Sequence, residues 1–259
     1  MRRSSLSVAA VAVLAAAIAA TAAWAGPTVN GADGNTQSID VQVRPKTLSK
    51  KSLTPGSLEV TTLTTSTTNP NGVPSPAVSA VIDFNEGMRL YTKGLPTCAA
   101  ALLQSQSTEV AQQLCGKAKI GSGKAMAFLD TGGRVYDVEQ TVTAFNGEPK
   151  GGRPTVLLHS YGTTPIQTTV VIEGTVSNYN KEGFGPRLDL TIPLIAGGRA
   201  VLKEFNVKID KKWRFKGVKR SFISAKCPNS KKLKARGEFT YRDGESLTAL
   251  SKQSCKQAP

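Results

Sequence analysis

Histidine occurs once in the 259 residues and cysteine four times, with no two cysteines in a CxxC pair. A zinc site of the usual spacing is left without its ligands, and only His159 could assist one. No GxSxG nucleophile elbow is present. His159 is followed by Ser160, but neighbouring side chains on a strand point to opposite faces, so the two do not form a base and nucleophile pair. Gly121-Ser122-Gly123-Lys124 is no phosphate loop, because Ala118 stands where the first glycine is needed and Ala125 follows the lysine. Two glycines within a β pattern predict a bulge or a close backbone approach instead. After residue 25 no apolar run reaches the roughly 20 residues of a membrane-spanning helix.

The start of the chain has the three parts of a secretory signal peptide: Arg2 and Arg3, an alanine-rich apolar run over 8–23, and Ala23-Trp24-Ala25 before Gly26. The run is short for a membrane span, so cleavage at about Ala25-Gly26 is expected. No cysteine adjoins the cleavage point to carry a lipid anchor. Ser5 stands where a twin-arginine signal prefers a large apolar residue, which favours export of the unfolded chain. The expected location is secreted or at the exterior of the cell envelope.

Acidic residues are scarce in one region only. Residues 26–198 hold 14 basic and 13 acidic side chains, whereas 199–259 hold 17 against 5. A charge asymmetry of this kind draws in polyanions. Outside a cell these are anionic wall polymers or membrane headgroups, with a merely solvated face as the alternative. The expected electrostatic contacts are Lys211, Lys212, Arg214, Lys216, Lys219, Arg220, Lys231, Lys232, Lys234 and Arg236. Trp213, Phe215, Phe222, Phe239 and Tyr241 lie among them and superficially suit nucleic acid. Period-two spacing turns Trp213 and Phe215 toward a core and the cations toward water, and export argues against nucleic acid as a partner.

Residues 26–37 (GPTVNGADGNTQ) have little to bury and predict a flexible lead-in to a single β-rich domain over 38–259. Residues 38–44 (SIDVQVR) alternate as a half-buried strand, with Ile39, Val41 and Val43 on one side. A basic loop over 45–57 with Pro55-Gly56 as its turn leads to a second strand over 58–64. From residue 117 onward strands recur, with turns expected at Gly132-Gly133, Asn146-Gly147 and Asp243-Gly244. Strands are expected over 200–209 and 213–225. About ten strands at this spacing predict an antiparallel β-sandwich or an open curved half-barrel sheet.

The helical exception is 95–115 (LPTCAAALLQSQSTEVAQQLC). On one straight helix Cys98 and Cys115 would stand roughly 25 Å apart, against the roughly 4.4–6.8 Å between Cα atoms that a disulfide allows. A bond between them requires the chain to reverse near 104–107 into a helical hairpin over about 97–115, capped at Ser105, Ser107 or Thr108 and ended by Gly116. Four cysteines in an exported chain predict two disulfides, and of three pairings adjacency favours Cys98 with Cys115 and Cys227 with Cys255.

The segments LPTCAAALLQ, CGKAKIGSGKA, ISAKCPNSKKLKARGEFTYRDGESLT and QSC resemble an uncharacterised group of secreted two-disulfide proteins of actinobacterial type, over about 95–255. The resemblance implies a shared scaffold and carries over no functional residue. The leading expectation is a non-catalytic envelope or extracellular protein without a metal or cofactor, associating with anionic wall or membrane polymers. Two alternatives stand beside it. One is a carrier of apolar ligands, its curved sheet half-wrapped around the helical hairpin. The other is a wall or glycan hydrolase using Asp83 with Glu86, or Asp137 with Glu139.

Overall fold

The computed structural model describes residues 26–69 and 71–258, so the expected export signal at 1–25 lies outside the described residues. The chain runs β1 (Val29–Asn30), β2 (Asn35–Arg44), β3 (Thr47–Ser49), β4 (Thr54–Ser66), β5 (Ala77–Asn85) and β6 (Met88–Leu90) into a helical interlude. The interlude is a 3-10 turn (Ala100–Leu103), α1 (Thr108–Cys115) and a second 3-10 turn (Gly116–Ala118). Long strands follow: β7 (Lys119–Asp130), β8 (Val135–Lys150), β9 (Arg153–Gly162), β10 (Thr168–Asn178), β11 (Phe184–Thr191) and β12 (Ala200–Ile209). The chain ends with β13 (Lys212–Phe215), β14 (Val218–Ser221), β15 (Ile223–Ala225), β16 (Lys232–Tyr241), β17 (Ser246–Ser254) and β18 (Lys256–Ala258).

Fourteen strands form one antiparallel sheet in the order β1-β2-β4-β12-β7-β8-β9-β10-β11-β5-β16-β17, with β15 joined to β4 and β6 joined to β15. The sheet curls into a nearly closed half-barrel, bringing its two ends together without a ladder between them. Side chains of β17 bridge this seam. Val41 N–H donates to Ser251 Oγ at 2.9 Å and Val43 N–H to Gln253 Oε1 at 2.6 Å. Gln253 Nε2 donates in turn to the Val43 carbonyl at 2.8 Å. Serine and glutamine on the inner face of β17 thus satisfy an edge that would otherwise template pairing with another chain.

Period-two alternation builds two cores on the two faces of the sheet. Ile39, Val41 and Val43 enter the barrel interior with Phe84, Val142, Ala144, Leu158, Phe239 and Tyr241. Phe145 and Leu157, one residue along from Ala144 and Leu158, point the other way and pack outside the sheet with Leu103, Ala111 and the Cys98–Cys115 bridge. The helical segment therefore sits on the outer face, and the expected arrangement of a sheet wrapped around it is corrected.

Both adjacent-pair disulfides are formed, Cys98–Cys115 and Cys227–Cys255. The chain does reverse at 104–107, where Ser105 takes a positive φ of 58° and the Ser107 side chain accepts a hydrogen bond from Val110 N–H. The first arm is only a 3-10 turn, and Gly116 keeps a right-handed φ of −58° and continues into the second one.

Several boundaries differ from expectation for identifiable reasons. The expected flexible lead-in over 26–37 forms β1 and the first part of β2. Its residues Asn35, Thr36 and Gln37 are buried at the seam, where Tyr241 Oη and Thr64 Oγ1 both donate to Gln37 Oε1, at 2.8 and 2.7 Å. Pro55-Gly56 lies within β4 rather than at a turn. Asn146-Gly147 does not turn either, and β8 runs on to Gly151-Gly152. Asn146 Nδ2 is held by the Pro96 carbonyl at 2.9 Å, and a Cβ on Gly147 would lie 2.3 Å from Thr155 Oγ1. The expected bulge at Gly121 is present, and at Gly123 a Cβ would meet the Asn206 carbonyl at 1.9 Å. The expected strand over 213–225 is broken by Lys216-Gly217, both at positive φ, into the β13–β14 hairpin and β15.

Candidate functional site: an internal cavity and a basic end

The registers gather one set of strand ends on one rim, including Arg44, Asn85, Lys119, Lys150, Arg153, Asn178, Ile209, Lys232 and Ser254. The opposite, upper rim holds Ser66, Asp130, Thr168, Ala200 and the Asp243-Gly244 turn. The lower rim is the basic end. Lys212, Arg214, Lys216 and Lys219 are exposed there on the β13–β14 hairpin, and Lys231 and Lys232 are exposed at the start of β16.

The other expected contacts are partly engaged. Lys211 is half-buried. Arg220 lies over the Tyr91 ring at 4.7 Å, and Tyr91 stacks on Trp213 at 5.9 Å. Trp213 and Phe215 are half-buried against the 91–95 segment at this end, Trp213 Nε1 donating to the Lys93 carbonyl at 3.2 Å. Trp213 packs against the central core as expected, whereas the placement of Phe215 there is corrected, because the hairpin carrying them leaves the main sheet. Lys234 Nζ donates to the Glu182 carbonyl and lies 4.4 Å from the centre of the Phe184 ring.

Arg236 is not an open electrostatic contact. It binds Asp83 through Nη2 at 2.8 Å and Nε at 3.1 Å, and Glu182 through Nη1 at 2.7 Å. Asp83 also receives Arg187 at 2.6 and 3.0 Å. Burial alone would raise the Asp83 pKa, but the hydrogen bonds and charges of the two guanidiniums override it and hold the carboxyl below its usual range. The cluster lies on the outer face of β11, β5 and β16 and fastens the 178–183 loop, whose Tyr179 ring stacks on Arg187 at 3.9 Å.

Sequence reasoning missed cations from outside the last quarter. Lys50 and Arg89 line one cleft at the basic end with the Cys227 bridge, joined there by Lys226 of the last quarter itself. Only the fold brings them there, from the β3–β4 connection, from β6 and from the chain before Cys227.

The interior holds a cavity of about 100 Å³. Its lining is apolar and drawn from the whole chain, including Leu58 and Val60 of β4, Ala80 and Ile82 of β5, Ile172 of β10, Leu188 and Leu190 of β11, Phe205 of β12 and Phe239 of β16. β6 and β15 form the floor through Met88, Leu90 and Ile223. At the upper rim the 192–199 segment crosses from β11 to β12. Its Pro193, Leu194 and Ile195 line a smaller adjoining space of about 40 Å³, which shares Leu158, Ile172, Leu202 and Phe205 with the main cavity.

Three of the four carboxylates expected for a hydrolase are paired with cations. Asp83 is occupied by two arginines while Glu86 lines the basic-end cleft, and exposed Asp137 and Glu139 pair with Lys203 and Lys124. His159 and Ser160 diverge as their spacing requires. Ser160 Oγ donates to Gln140 Oε1 at 2.7 Å on the inner side, whereas His159 is fully buried outside, with Nε2 3.0 Å from the Gln106 carbonyl. Burial lowers the His159 pKa, although the Gln106 carbonyl works against that shift. Among the described residues no three His, Cys, Asp or Glu side chains form a group able to hold a metal ion. Comparison with protein-family models, with curated proteins and with solved structures finds no match.

Proposed function

We propose that this is an exported, non-catalytic binding protein that holds an apolar ligand inside its half-barrel. The observation that carries the reading is the central cavity, with apolar side chains making up nearly all of its lining from β4 to β16 inside the core. Its volume is about two-thirds of the roughly 150 Å³ cavity that admits benzene, which suits a slender alkyl chain better than fused rings. The two disulfides accord with an oxidising extracellular location. Ala80, buried on the cavity wall, supplies the control. Titration calorimetry with octanol should show saturable binding that Ala80→Leu removes by filling the space. Absence of binding up to the solubility limit overturns the reading.

A second reading, association with an anionic wall polymer or membrane surface, is favoured by the convergence of lysines from three parts of the chain on the lower rim. Binding to purified wall material or anionic vesicles should weaken steeply between low salt and ~0.15 M, where the screening length is about 8 Å. Neutralising Lys212, Lys216, Lys219, Lys231 and Lys232 together should remove it. Retained binding in that variant refutes this reading. Arg236 is left intact there because its role in the Asp83 cluster is structural.

A further inference from the structure

We infer that the cavity takes a single-chain amphiphile with an anionic head, its tail in the barrel and its head at Arg89 on the lower rim. This rests on the cavity reading above and adds the class of ligand. The main cavity and a surface cleft share Leu90, Val176 and Pro186 as walls, so these three side chains separate the interior from solvent between its floor strand β6 and the β10–β11 hairpin. The rest of that cleft is Arg89, Pro154, Ser177, Asn178 and Asn180. It thus holds one cation, hydrogen-bonding side chains and no carboxylate.

Alternation along β6 sets this arrangement. Met88 and Leu90 face the cavity, while Arg89 between them is exposed. Arg89 uses only Nη1, which donates to the Glu86 and Met88 carbonyls at 2.6 Å each. Those two bonds anchor the guanidinium to the backbone of its own turn. Nε and Nη2 have no hydrogen-bond partner among the described residues, and Arg89 forms no ion pair there. An anchored guanidinium with unused planar donors is suited to a carboxylate or phosphate oxygen. Glu86 lines the neighbouring cleft, where Lys50 and Lys226 oppose its charge. An apolar interior one side chain's thickness from such a group matches a molecule with one slender apolar end and one anionic end.

Chain-matched ligands test the head separately from the tail. Octanoate and octyl phosphate should bind the intact protein roughly tenfold more tightly than octanol, the value of one charge-assisted hydrogen bond. Arg89→Gln should abolish that preference and leave octanol affinity unchanged, while Ala80→Leu should weaken all three. The stronger anion identifies the head as carboxylate or phosphate. Equal affinities for octanol and both anions, or a preference that survives Arg89→Gln, overturn the head site and leave the cavity reading standing. Failure of all three ligands to bind overturns the cavity reading and this inference with it.

Discussion

Replacing Asp83 by alanine should be among the most damaging single changes outside the two cores. The carboxylate is 2 % exposed and accepts four hydrogen bonds, from Arg187 at 2.6 and 3.0 Å and from Arg236 at 2.8 and 3.1 Å. Its removal leaves two guanidiniums facing each other, with the exposed Glu182 as the remaining paired acid. Breaking a buried ion pair from one side costs about 3–5 kcal/mol. The arginine side chains remain 26 % and 22 % exposed, so solvent screening places the cost at the lower end, about 3 kcal/mol. For a chain of this size that is a fall in Tm of roughly 6–12 °C.

Asp83→Asn should behave similarly, since the amide keeps the shape but loses the charge and one acceptor. Urea unfolding of Asp83→Ala, Arg187→Ala and the double variant measures the coupling, which should exceed about 1 kcal/mol. The folded pKa of Asp83 is depressed, so its stabilisation is complete above the unfolded value of about 3.9 and disappears as pH falls through the lower folded value. The gap between wild type and Asp83→Ala should therefore be wide at pH 7 and close below about pH 4. A variant within 1 kcal/mol of wild type at pH 7, or additive single-variant effects, would refute the account of the cluster.

Gln253→Ala should cost about 2–4 kcal/mol, because it strands both the N–H and the carbonyl of buried Val43, and the Val43 amide should exchange faster with deuterium. His159 has a folded pKa below its usual value, so stability should fall as pH drops below about 6.5, by at most about 1.4 kcal/mol per pH unit. His159→Gln should flatten that slope in urea titrations at pH 7.5 and 5.5. Removing the Cys98–Cys115 bridge, which closes 17 residues, should cost about 3 kcal/mol, and removing Cys227–Cys255, which closes 28, slightly more. Unchanged thermal melts after full reduction would contradict both values.

Local sterics made much of this protein legible in one dimension. Alternation in SIDVQVR puts Ile39, Val41 and Val43 in the core, and the Asp243-Gly244 turn joins β16 to β17. The span of a helix set against the reach of a disulfide requires the reversal at 104–107. Each of these follows from interactions within a few residues or from one covalent limit. Asn146-Gly147 and 213–225 were misread because a long-range partner or a hairpin turn overrode the local pattern. The lead-in at 26–37 was misread because its polar side chains find their hydrogen bonds across the seam.

The candidate site was hardly visible, since nothing local specifies it. An empty volume among β4, β5, β10, β11, β12 and β16 depends on how far a fourteen-stranded sheet curls and on side chains drawn from Leu58 to Phe239. The sequence by itself determined most of the strands and the basic last quarter, and favoured the observed pairing of the cysteines. Only the tertiary structure withdrew Arg236 into the Asp83 cluster, added Lys50 and Arg89 to the basic end, and placed the helical segment outside the barrel. The reason is that strand register and sheet closure are long-range choices, and which charges meet is settled only once those choices are made.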